Sequence, residues 1–206
     1  SVRCDRSDGL VINILKKPMI QHVWEKCNQV ISKDYIYVAT EDNEIKDYCE
    51  SNNIKCVITG PAETAIDRIK LFSDKIKADS YINVQGDEPI VNINDIKSLL
   101  NYNLKFPDRV VFGKTTANEV EFDDFSKAKV VCDKNGRLLY SSRAGIPLTN
   151  KGKFLKAERA IWLYAFNKNS LNKYFENSGK TYLDQIEDNE IIRFLEIGIP
   201  VYCIDM

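Results

Sequence analysis

Short apolar segments alternate with amphipathic segments through the first half of the chain. Segments 34–39, 54–58 and 80–84 are rich in β-branched and aromatic residues, which is typical of buried strands. Segments 20–32 and 62–77 repeat apolar residues at helical spacing, as helices that pack on a sheet do. Strands that alternate with helices form βαβ units with parallel strands. The pattern therefore predicts an α/β fold with a mostly parallel sheet.

Longer β-type runs predominate after residue 110, and two of them flank a hairpin signal. Segments 128–132 and 137–140 lie on either side of Asn135-Gly136, a dipeptide that favours a tight β-turn. We therefore expect these two segments to form a hairpin. The remaining predicted elements are strands at 110–114, 160–166 and 200–206 and helices at 40–49, 168–176 and 185–197, the last helix ended by Gly198.

Length and charge point to one domain without a polymer partner. The 206 residues suffice for a single domain with a substantial core. The 29 basic side chains are balanced by 30 acidic ones, so no nucleic-acid or membrane partner is indicated. No segment resembles a signal peptide or a membrane span, and six scattered cysteines with a single histidine, His22, do not suggest a zinc site. We expect a cytoplasmic protein with reduced thiols.

The segment most informative about chemistry is 83–89, Asn-Val-Gln-Gly-Asp-Glu-Pro, which follows a predicted strand. Open α/β folds bind ligands at the carboxyl ends of their parallel strands. Carboxylate and phosphate oxygens are the ligands that Mg²⁺ prefers, so Asp87 is a candidate metal ligand. Gly, Asp and Pro are also ordinary turn residues. From residues 86–89 alone, a plain turn is the favoured interpretation.

A longer comparison changes that balance. Residues 83–89 resemble the signature of the 3-deoxy-manno-octulosonate (KDO) cytidylyltransferases, or CMP-KDO synthetases, and other segments resemble the same family in the same order. These segments are 17–23, 38–42, 67–68, 129–133, 139–147, 164–166 and 183–198. The matches extend over most of the chain, which makes chance a poor explanation.

The resemblance implies a fold and a reaction. The fold is a three-layer, mostly parallel, twisted sheet of the Rossmann-like nucleotide-diphosphosugar transferase type, in one domain over 1–206. A β-rich arm at about 128–166 would form a homodimer. The substrates would be CTP and an acidic 3-deoxy sugar, with Mg²⁺ as cofactor. The anomeric hydroxyl would attack the α-phosphate and pyrophosphate would leave, to give a CMP-sugar for lipopolysaccharide biosynthesis.

The same resemblance implies roles for particular residues. Asp87 would bind Mg²⁺, Lys17 would reach the phosphates, and Arg143 would face the sugar carboxylate or a phosphate. The substrate-binding set would comprise Arg3, Ser7, Gln85, Gly86, Asp67, Arg68, Tyr164, Gln185 and Glu187. Each role has a structural alternative. Lys17 is otherwise a solvated lysine, Arg143 an arm salt bridge, Tyr164 a core aromatic and Glu187 part of an exposed helix face.

Both ends of the chain depart from the family pattern. The residues before Ile12 are fewer than the family's triphosphate-binding loop contains, and that loop's proline and lysine are missing. Arg3 and Ser7 are its remnants. The family's second metal-binding aspartate follows the last strand, and Asp205 comes too early to match it. We therefore expect the first strand and loop and the C-terminal segment to be incomplete in this sequence.

Two internal departures concern the substrates. Ala65 replaces a glycine in the segment that helps to hold the cytosine, where an added Cβ crowds a ligand. Ala160 and Trp162 stand where the family has a histidine and a glycine, and the change removes a polar sugar contact and adds bulk. These differences predict an altered acceptor, such as a modified or amino-substituted octulosonate or a nonulosonate.

Two other functions stay open at this point. A CMP-nonulosonate synthetase of the sialic, pseudaminic or legionaminic type shares the fold and the reaction. A non-catalytic nucleotide- or sugar-binding relative is the alternative from another class of protein. A dinucleotide-dependent oxidoreductase is disfavoured, since the sequence contains no GxGxxG motif.

Overall fold

The computed structural model describes residues 12–176 and 179–206, together with the backbone of residues 2–3. The strands are β1 (Val2–Arg3), β2 (Asn13–Ile14), β3 (Lys17–Pro18), β4 (Val38–Thr40), β5 (Cys56–Ile58), β6 (Ser80–Gln85), β7 (Val110–Ala117), β8 (Lys129–Cys132), β9 (Leu138–Ser142), β10 (Ala157–Asn167) and β11 (Val201–Asp205). The α-helices are α1 (Met19–Asn28), α2 (Asn43–Ser51), α3 (Ala65–Lys75), α4 (Ile93–Lys105), α5 (Glu119–Asp123), α6 (Lys168–Glu176), α7 (Tyr182–Glu187) and α8 (Ile192–Glu196).

The main sheet is mostly parallel, as the sequence predicts. Its strand order is β11-β7-β10-β6-β1-β4-β5. Only β10 runs against its neighbours along this order, since it pairs antiparallel with both β6 and β7 while the other pairs are parallel. Val2 of β1 pairs with Val38 and Val84, so the first strand lies in the middle of the sheet. The carboxyl ends of β1, β4, β5 and β6 therefore meet along one edge.

Helices cover both faces of the sheet and produce the expected three layers. One apolar cluster packs α3, α6 and α8 against the sheet, and a second packs α1, α2 and α4 against the opposite face. The alternation along β10 shows how the strand serves both clusters. Tyr164 and Phe166 belong to the first cluster, whereas Leu163 and Ala165 belong to the second.

Local sequence explains where several helices begin. Asp42 caps α2, since its carboxylate accepts from the amides of Glu44 at 2.6 Å and Ile45 at 3.3 Å. Thr64 caps α3 by accepting from the Asp67 amide at 3.1 Å. Both caps lie just beyond the carboxyl ends of strands, so they fix the course of the chain at the ligand-binding edge.

The predicted hairpin after residue 128 is confirmed. Strands β8 and β9 pair antiparallel, and Gly136 in their turn has a φ of 78°, which favours glycine. The hairpin extends from the main sheet through the pairing of β8 with the first part of β10. Within the described ranges, none of the helices has the length and apolar character needed to cross a bilayer.

The helix predicted over 185–197 is wrong in one respect, because two helices occupy that region. The chain leaves α7 at Asp188, whose φ of 44° lies in the left-handed region. An Arg143 side chain holds the carbonyl oxygens of Glu187 and Asp188 at 2.8 Å each, so these carbonyls do not continue a helix. A tertiary contact therefore breaks a helical pattern that periodicity alone supports.

Candidate functional site

The carboxyl end of β6 carries the predicted metal ligand. Gly86 is buried in the turn that follows the strand, and the Glu88 amide donates to the Gln85 carbonyl at 3.3 Å. Asp87 is exposed on this turn. Arg3 of β1 pairs in register with Gln85, so the ends of the two strands lie together. The segment is thus both a turn and a carboxylate-bearing edge, and the two interpretations are compatible.

A second acidic side chain lies beside Asp87. Glu88 is half-buried, and its burial raises the pKa of its carboxyl group, with the charge of Asp87 adding to the rise. The guanidinium of Arg159 on β10 opposes this rise in the pKa of Glu88. The Arg159 Nε also lies 2.9 Å from Glu121 Oε1. The carboxylates of Asp87 and Glu88 and the guanidinium of Arg159 therefore lie near one another at the end of β6.

The two carboxylates suit a magnesium site shared with a nucleotide. Proteins that bind Mg²⁺ together with a nucleotide hold the ion with one or two carboxylates, and phosphate oxygens and water complete the ligand shell. Among the described residues, no three His, Cys, Asp or Glu side chains are grouped so as to hold a metal alone. Asp87 with Glu88 fits the protein's share of such a site.

Arg68 frames the neighbouring strand ends. It is buried, and its NH1 donates to Thr59 Oγ1 at 2.8 Å and to the Gly60 carbonyl at 3.1 Å. Its NH2 donates to Glu41 Oε1 at 3.0 Å. Because Glu41 follows β4 and Thr59 follows β5, the guanidinium ties these two strand ends together. Arg68, which is predicted to bind a substrate, therefore forms its described hydrogen bonds with groups of the protein.

Asp67 belongs to a buried charge cluster below the edge. Its Oδ2 accepts from the Thr64 hydroxyl at 2.8 Å, and its Oδ1 lies 3.5 Å from the Arg193 guanidinium. Arg193 is 1% exposed and donates to Asp184 Oδ2 at 2.7 Å and 3.0 Å. Its guanidinium also lies 4.2 Å from the centre of the Tyr174 ring. This cluster joins α3, α6, α7 and α8.

Arg143 and Glu187, predicted at the same site, do meet, and they bind each other's segments. The Glu187 carboxylate accepts from Tyr140 Oη at 3.1 Å, Ser142 Oγ at 2.7 Å and the Arg143 amide at 2.9 Å. The Arg143 side chain binds the Glu187 and Asp188 carbonyls in return. Burial and the Glu187 charge raise the pKa of the Tyr140 hydroxyl. We call this set of five residues the arm latch, because it joins β9 to α7.

Gln185 is exposed on α7, two residues before the arm latch. The first turn of this helix is anchored by Glu196, which accepts from the amides of Leu183 at 3.1 Å and Asp184 at 3.3 Å and from the Thr181 hydroxyl. A carboxylate at a helix N-terminus is favourable because it satisfies free amides there. The predicted sugar contact Gln185 therefore stands on a fixed helix.

Tyr164 is a core residue, and the expectation that it lines a sugar pocket is corrected here. Its side chain is 0% exposed and its ring stacks at 5.1 Å on Phe112 and 5.6 Å on Phe166. Strand alternation on β10 directs position 164 toward the face on which α3, α6 and α8 pack. Its hydroxyl donates to Glu190 Oε1 at 3.2 Å. The alternative interpretation as a core aromatic is the one that the structure supports.

The two substituted positions on β10 lie on the same face as Tyr164. Ala160 is 6% exposed, and Trp162 is half-buried with its ring centre 5.8 Å from that of Phe112. Trp162 also falls within an irregularity of the β10–β7 register, between Ile161 and Tyr164. The indole thus packs against the first apolar cluster, which also contains residues of β8 and β9.

Lys17 pairs with a neighbouring helix. Its Nζ lies 2.8 Å from Glu25 Oε1, and this hydrogen bond is the main cause of the lowered pKa of Glu25. The Lys17 side chain is 47% exposed, in agreement with a solvated lysine at a helix start. Ser7 and the side chain of Arg3 lie outside the described residues.

Three contributors have no role that the sequence alone predicts, namely Glu190, Arg159 and Glu88. Glu190 lies in the matched segment 183–198, and it accepts from the Ile66 amide of α3 at 3.1 Å and from Tyr164. Arg159 comes near Glu88 only through strand pairing across the sheet, which no local pattern announces. Glu88 itself was available as a signal, since it adjoins Asp87 in the same motif.

Comparisons with known proteins place this geometry in context. Residues 11–201 match the family model described as Cytidylyltransferase. The chain is 36% identical to a 3-deoxy-manno-octulosonate cytidylyltransferase of Chlamydia caviae, over 92% of this chain and 76% of the relative. It is 33% identical to an 8-amino-3,8-dideoxy-manno-octulosonate cytidylyltransferase of Shewanella frigidimarina, over 88% and 77%. A solved CMP:2-keto-3-deoxy-manno-octonic acid synthetase complexed with CTP matches with a TM-score of 0.89 and 28% identity, over 96% of this chain and 83% of that one.

Proposed function

Because the chain belongs to the cytidylyltransferase family, we propose that it transfers the cytidylyl group of CTP to a KDO-like 3-deoxy sugar acid. The anomeric hydroxyl of the sugar attacks the α-phosphate, and pyrophosphate leaves. The observation that carries this proposal is the Asp87–Glu88 carboxylate pair at the edge where β1 and β6 end. It is supported by the TM-score of 0.89 to a synthetase solved with CTP.

Asp87 is the proposed ligand of Mg²⁺, with Glu88 beside it. When bound, the ion neutralises charge that develops on the phosphates and orients them for attack. Asp87 is exposed on the turn, so its carboxylate is available to a ligand without rearrangement of the core. Glu88 is half-buried and adds negative charge from the protein side.

The remaining roles are proposals of different kinds. Gln85, half-buried beside the Gly86 turn, would contact the substrates directly, and Gln185 would contact the sugar from α7. Arg3, Ser7 and Lys17 remain predictions for the phosphates. Arg68 and Asp67 would act by holding the strand ends and α3 in place. Arg143 and Glu187 would act by fixing α7 to the arm, which orients the surface that carries Gln185.

The acceptor is proposed to be KDO or a modified KDO. The two named relatives act, by their names, on 3-deoxy-manno-octulosonate and on its 8-amino-3,8-dideoxy form, which favours an octulosonate over a nonulosonate. Of the two departures on β10, Ala160 is 6% exposed in the core, so the half-buried Trp162, which adds volume, is the one that favours a modified acceptor. A CMP-nonulosonate synthetase stays the second candidate.

A homodimer through the arm at about 128–166 is part of the same proposal. Large apolar side chains are exposed along the hairpin and the loop after it, namely Leu139 at 50%, Leu148 at 56% and Leu155 at 79%. Light scattering after gel filtration tests this assembly, since the mass of one chain would contradict it.

The cytoplasm is the proposed compartment, because CTP is a cytoplasmic metabolite.

The reaction is tested by pyrophosphate release from CTP. The protein is supplied with Mg²⁺ and, in separate reactions, KDO, 8-amino-KDO and several nonulosonates, with a metal-free control. We expect metal-dependent release with an octulosonate. Release with nonulosonates alone would favour the second candidate. If protein whose fold is verified by circular dichroism released no pyrophosphate with any of these sugars, the proposed reaction would be contradicted.

A further inference from the structure

Two cysteines distant in sequence lie side by side where the arm joins the sheet. Cys132 ends β8, Cys203 lies in β11, and both are free thiols. The Cys203 thiol forms a hydrogen bond with the sulfur of Cys132. The backbone fixes this approach, since the Cys203 amide donates to the Gly136 carbonyl at 2.7 Å and Arg137 bridges to Tyr202. The hairpin turn and the edge strand thus hold the two sulfurs together.

The pair lines an open cavity of about 500 Å³ that also contains Lys114, Glu158 and Asp205. Cys132 is half-buried and Cys203 is 6% exposed. A small reagent in the cavity therefore meets Cys132 first, with Cys203 behind it. Neither cysteine contributes to the carboxylate edge at Asp87 or to the arm latch.

The charges around the pair differentiate its two thiols. The Lys114 ammonium lies beside them, 2.5 Å from Glu158 Oε1 and 2.7 Å from Asp205 Oδ1. The hydrogen bond from Cys203 lowers the pKa of the Cys132 thiol, and Lys114 lowers it further, against burial and the charges of Glu158 and Asp133. The hydrogen bond to Cys132 and burial raise the pKa of Cys203. Cys132 is thus the better nucleophile, and Cys203 is the thiol that would react second.

We propose that Cys132 and Cys203 form a covalent modification site for small disulfides of the glutathione class. The Cys132 thiolate attacks one sulfur of the reagent, whose S–S bond breaks and releases one thiolate. The Cys203 thiol then loses its proton and attacks the Cys132 sulfur, which expels the second thiolate. The two protein thiols are oxidised to one disulfide, and the reagent is reduced to two thiols. The new bond links β8 to β11.

A second thiol pair in the same chain provides a matched control. Cys49 of α2 and Cys56 of β5 also form a hydrogen bond. Cys49 is 0% exposed, and neither of these residues lines the cavity beside Lys114. Thiol proximity is therefore common to both pairs, whereas access through a cavity distinguishes Cys132 and Cys203.

The test exposes the native chain to mixtures of oxidised and reduced glutathione, followed by alkylation, digestion and mass spectrometry. We expect a peptide linked through positions 132 and 203 in the wild type and in a Cys49→Ser variant. A Cys203→Ser variant is expected to lose this link and to retain one glutathione on Cys132, because the second thiol is absent. The midpoint of thermal unfolding is expected to rise when the link forms.

Several results would overturn the proposal. One is the absence of a 132–203 link in native wild-type protein at every glutathione ratio, which requires no variant. Another is a Cys203→Ser protein that gains no glutathione on Cys132. A 49–56 link that forms in higher yield than the 132–203 link would also contradict it, since the cavity would then confer no advantage.

Discussion

The carboxylate edge and the arm latch are both built from motif residues, but they differ in how their polar groups are used. At the edge, no described residue forms a hydrogen bond or an ion pair with the Asp87 side chain. In the latch, Glu187 accepts three hydrogen bonds and Arg143 binds two carbonyls of the α7 end. The edge therefore leaves charge available for a ligand, whereas the latch uses its charges within the protein.

This difference distinguishes two roles that a residue in a family motif can have. A residue matched to a family motif can contact the substrate, or it can position the residues that do. Asp87 belongs to the first class in our account, and Arg143, Glu187 and Arg68 belong to the second. The distinction is testable, because a loss of ligand contact changes turnover while a loss of internal contacts changes stability.

The largest expected loss of stability comes from the charge cluster below the edge. An Arg193→Ala substitution leaves the carboxylates of Asp184 and Asp67 without their cation in a buried site. We expect unfolding free energy to fall by about 3–5 kcal/mol, as when one partner of a buried pair is removed. Urea unfolding measures it, with Arg137→Ala as control. That arginine is 53% exposed and lies 3.6 Å from Asp133, so its removal should cost about 0–1 kcal/mol.

A smaller effect is expected in the arm latch. Glu187→Gln keeps the shape of the side chain but removes the charge that three donors share. We expect a loss of about 1–3 kcal/mol in unfolding free energy. Glu176→Gln, on the exposed end of α6, is the control. Unchanged stability together with a raised KM for the sugar would reverse the comparison and make Glu187 a direct sugar contact.

A gain of stability is expected in the β2–β3 turn. Leu15 and Lys16 have φ values of 50° and 69°, which favour Asn and Gly, and Leu15 is 87% exposed. Replacing the pair by Asn-Gly should raise the unfolding free energy by about 1–2 kcal/mol. Leu148→Asn, at another exposed leucine, should not. No gain in the double variant would show that this turn carries no strain.

The smallest expected effect is a pH dependence from Glu88. Burial raises its pKa in the folded state, so the folded protein binds more protons than the unfolded chain between the two pKa values. This group therefore contributes less stability as the pH rises through that window. Glu88→Gln should flatten that part of the profile of unfolding free energy against pH. An identical slope in the variant would contradict the assignment.

Much of the fold follows from periodic patterns. The parallel strands and the β8–β9 hairpin were predicted because each depends on local residues, such as Asn135-Gly136. Helix α4 was not predicted, since its segment contains three asparagines at 94, 101 and 103, which are weak helix formers, and its packing decides the outcome. The break at Asp188 is not predictable for the converse reason, because Arg143, which follows β9 and is distant in sequence, imposes it.

The candidate site is predictable in part. The place of Asp87 after a strand makes it a candidate, because the end of a parallel strand is defined locally, but the family resemblance is what favours a metal ligand over a plain turn. The burial of Tyr164 depends on the helices that pack on its face of β10, and the approach of Arg159 to Glu88 depends on strand pairing across the sheet. These features arise from the tertiary arrangement, which a single segment does not specify.

The most direct test of the account is turnover of CTP and an octulosonate by Asp87→Asn beside Asp79→Asn. Asp79 is an exposed aspartate at the opposite end of the same strand, so it controls for loss of charge alone. We predict that Asp87→Asn lowers kcat/KM by about 100- to 1000-fold, the usual cost of removing a group that stabilises transition-state charge, with unchanged unfolding free energy. Turnover by Asp87→Asn equal to that of Asp79→Asn would contradict the assignment of the carboxylate edge as the reactive site.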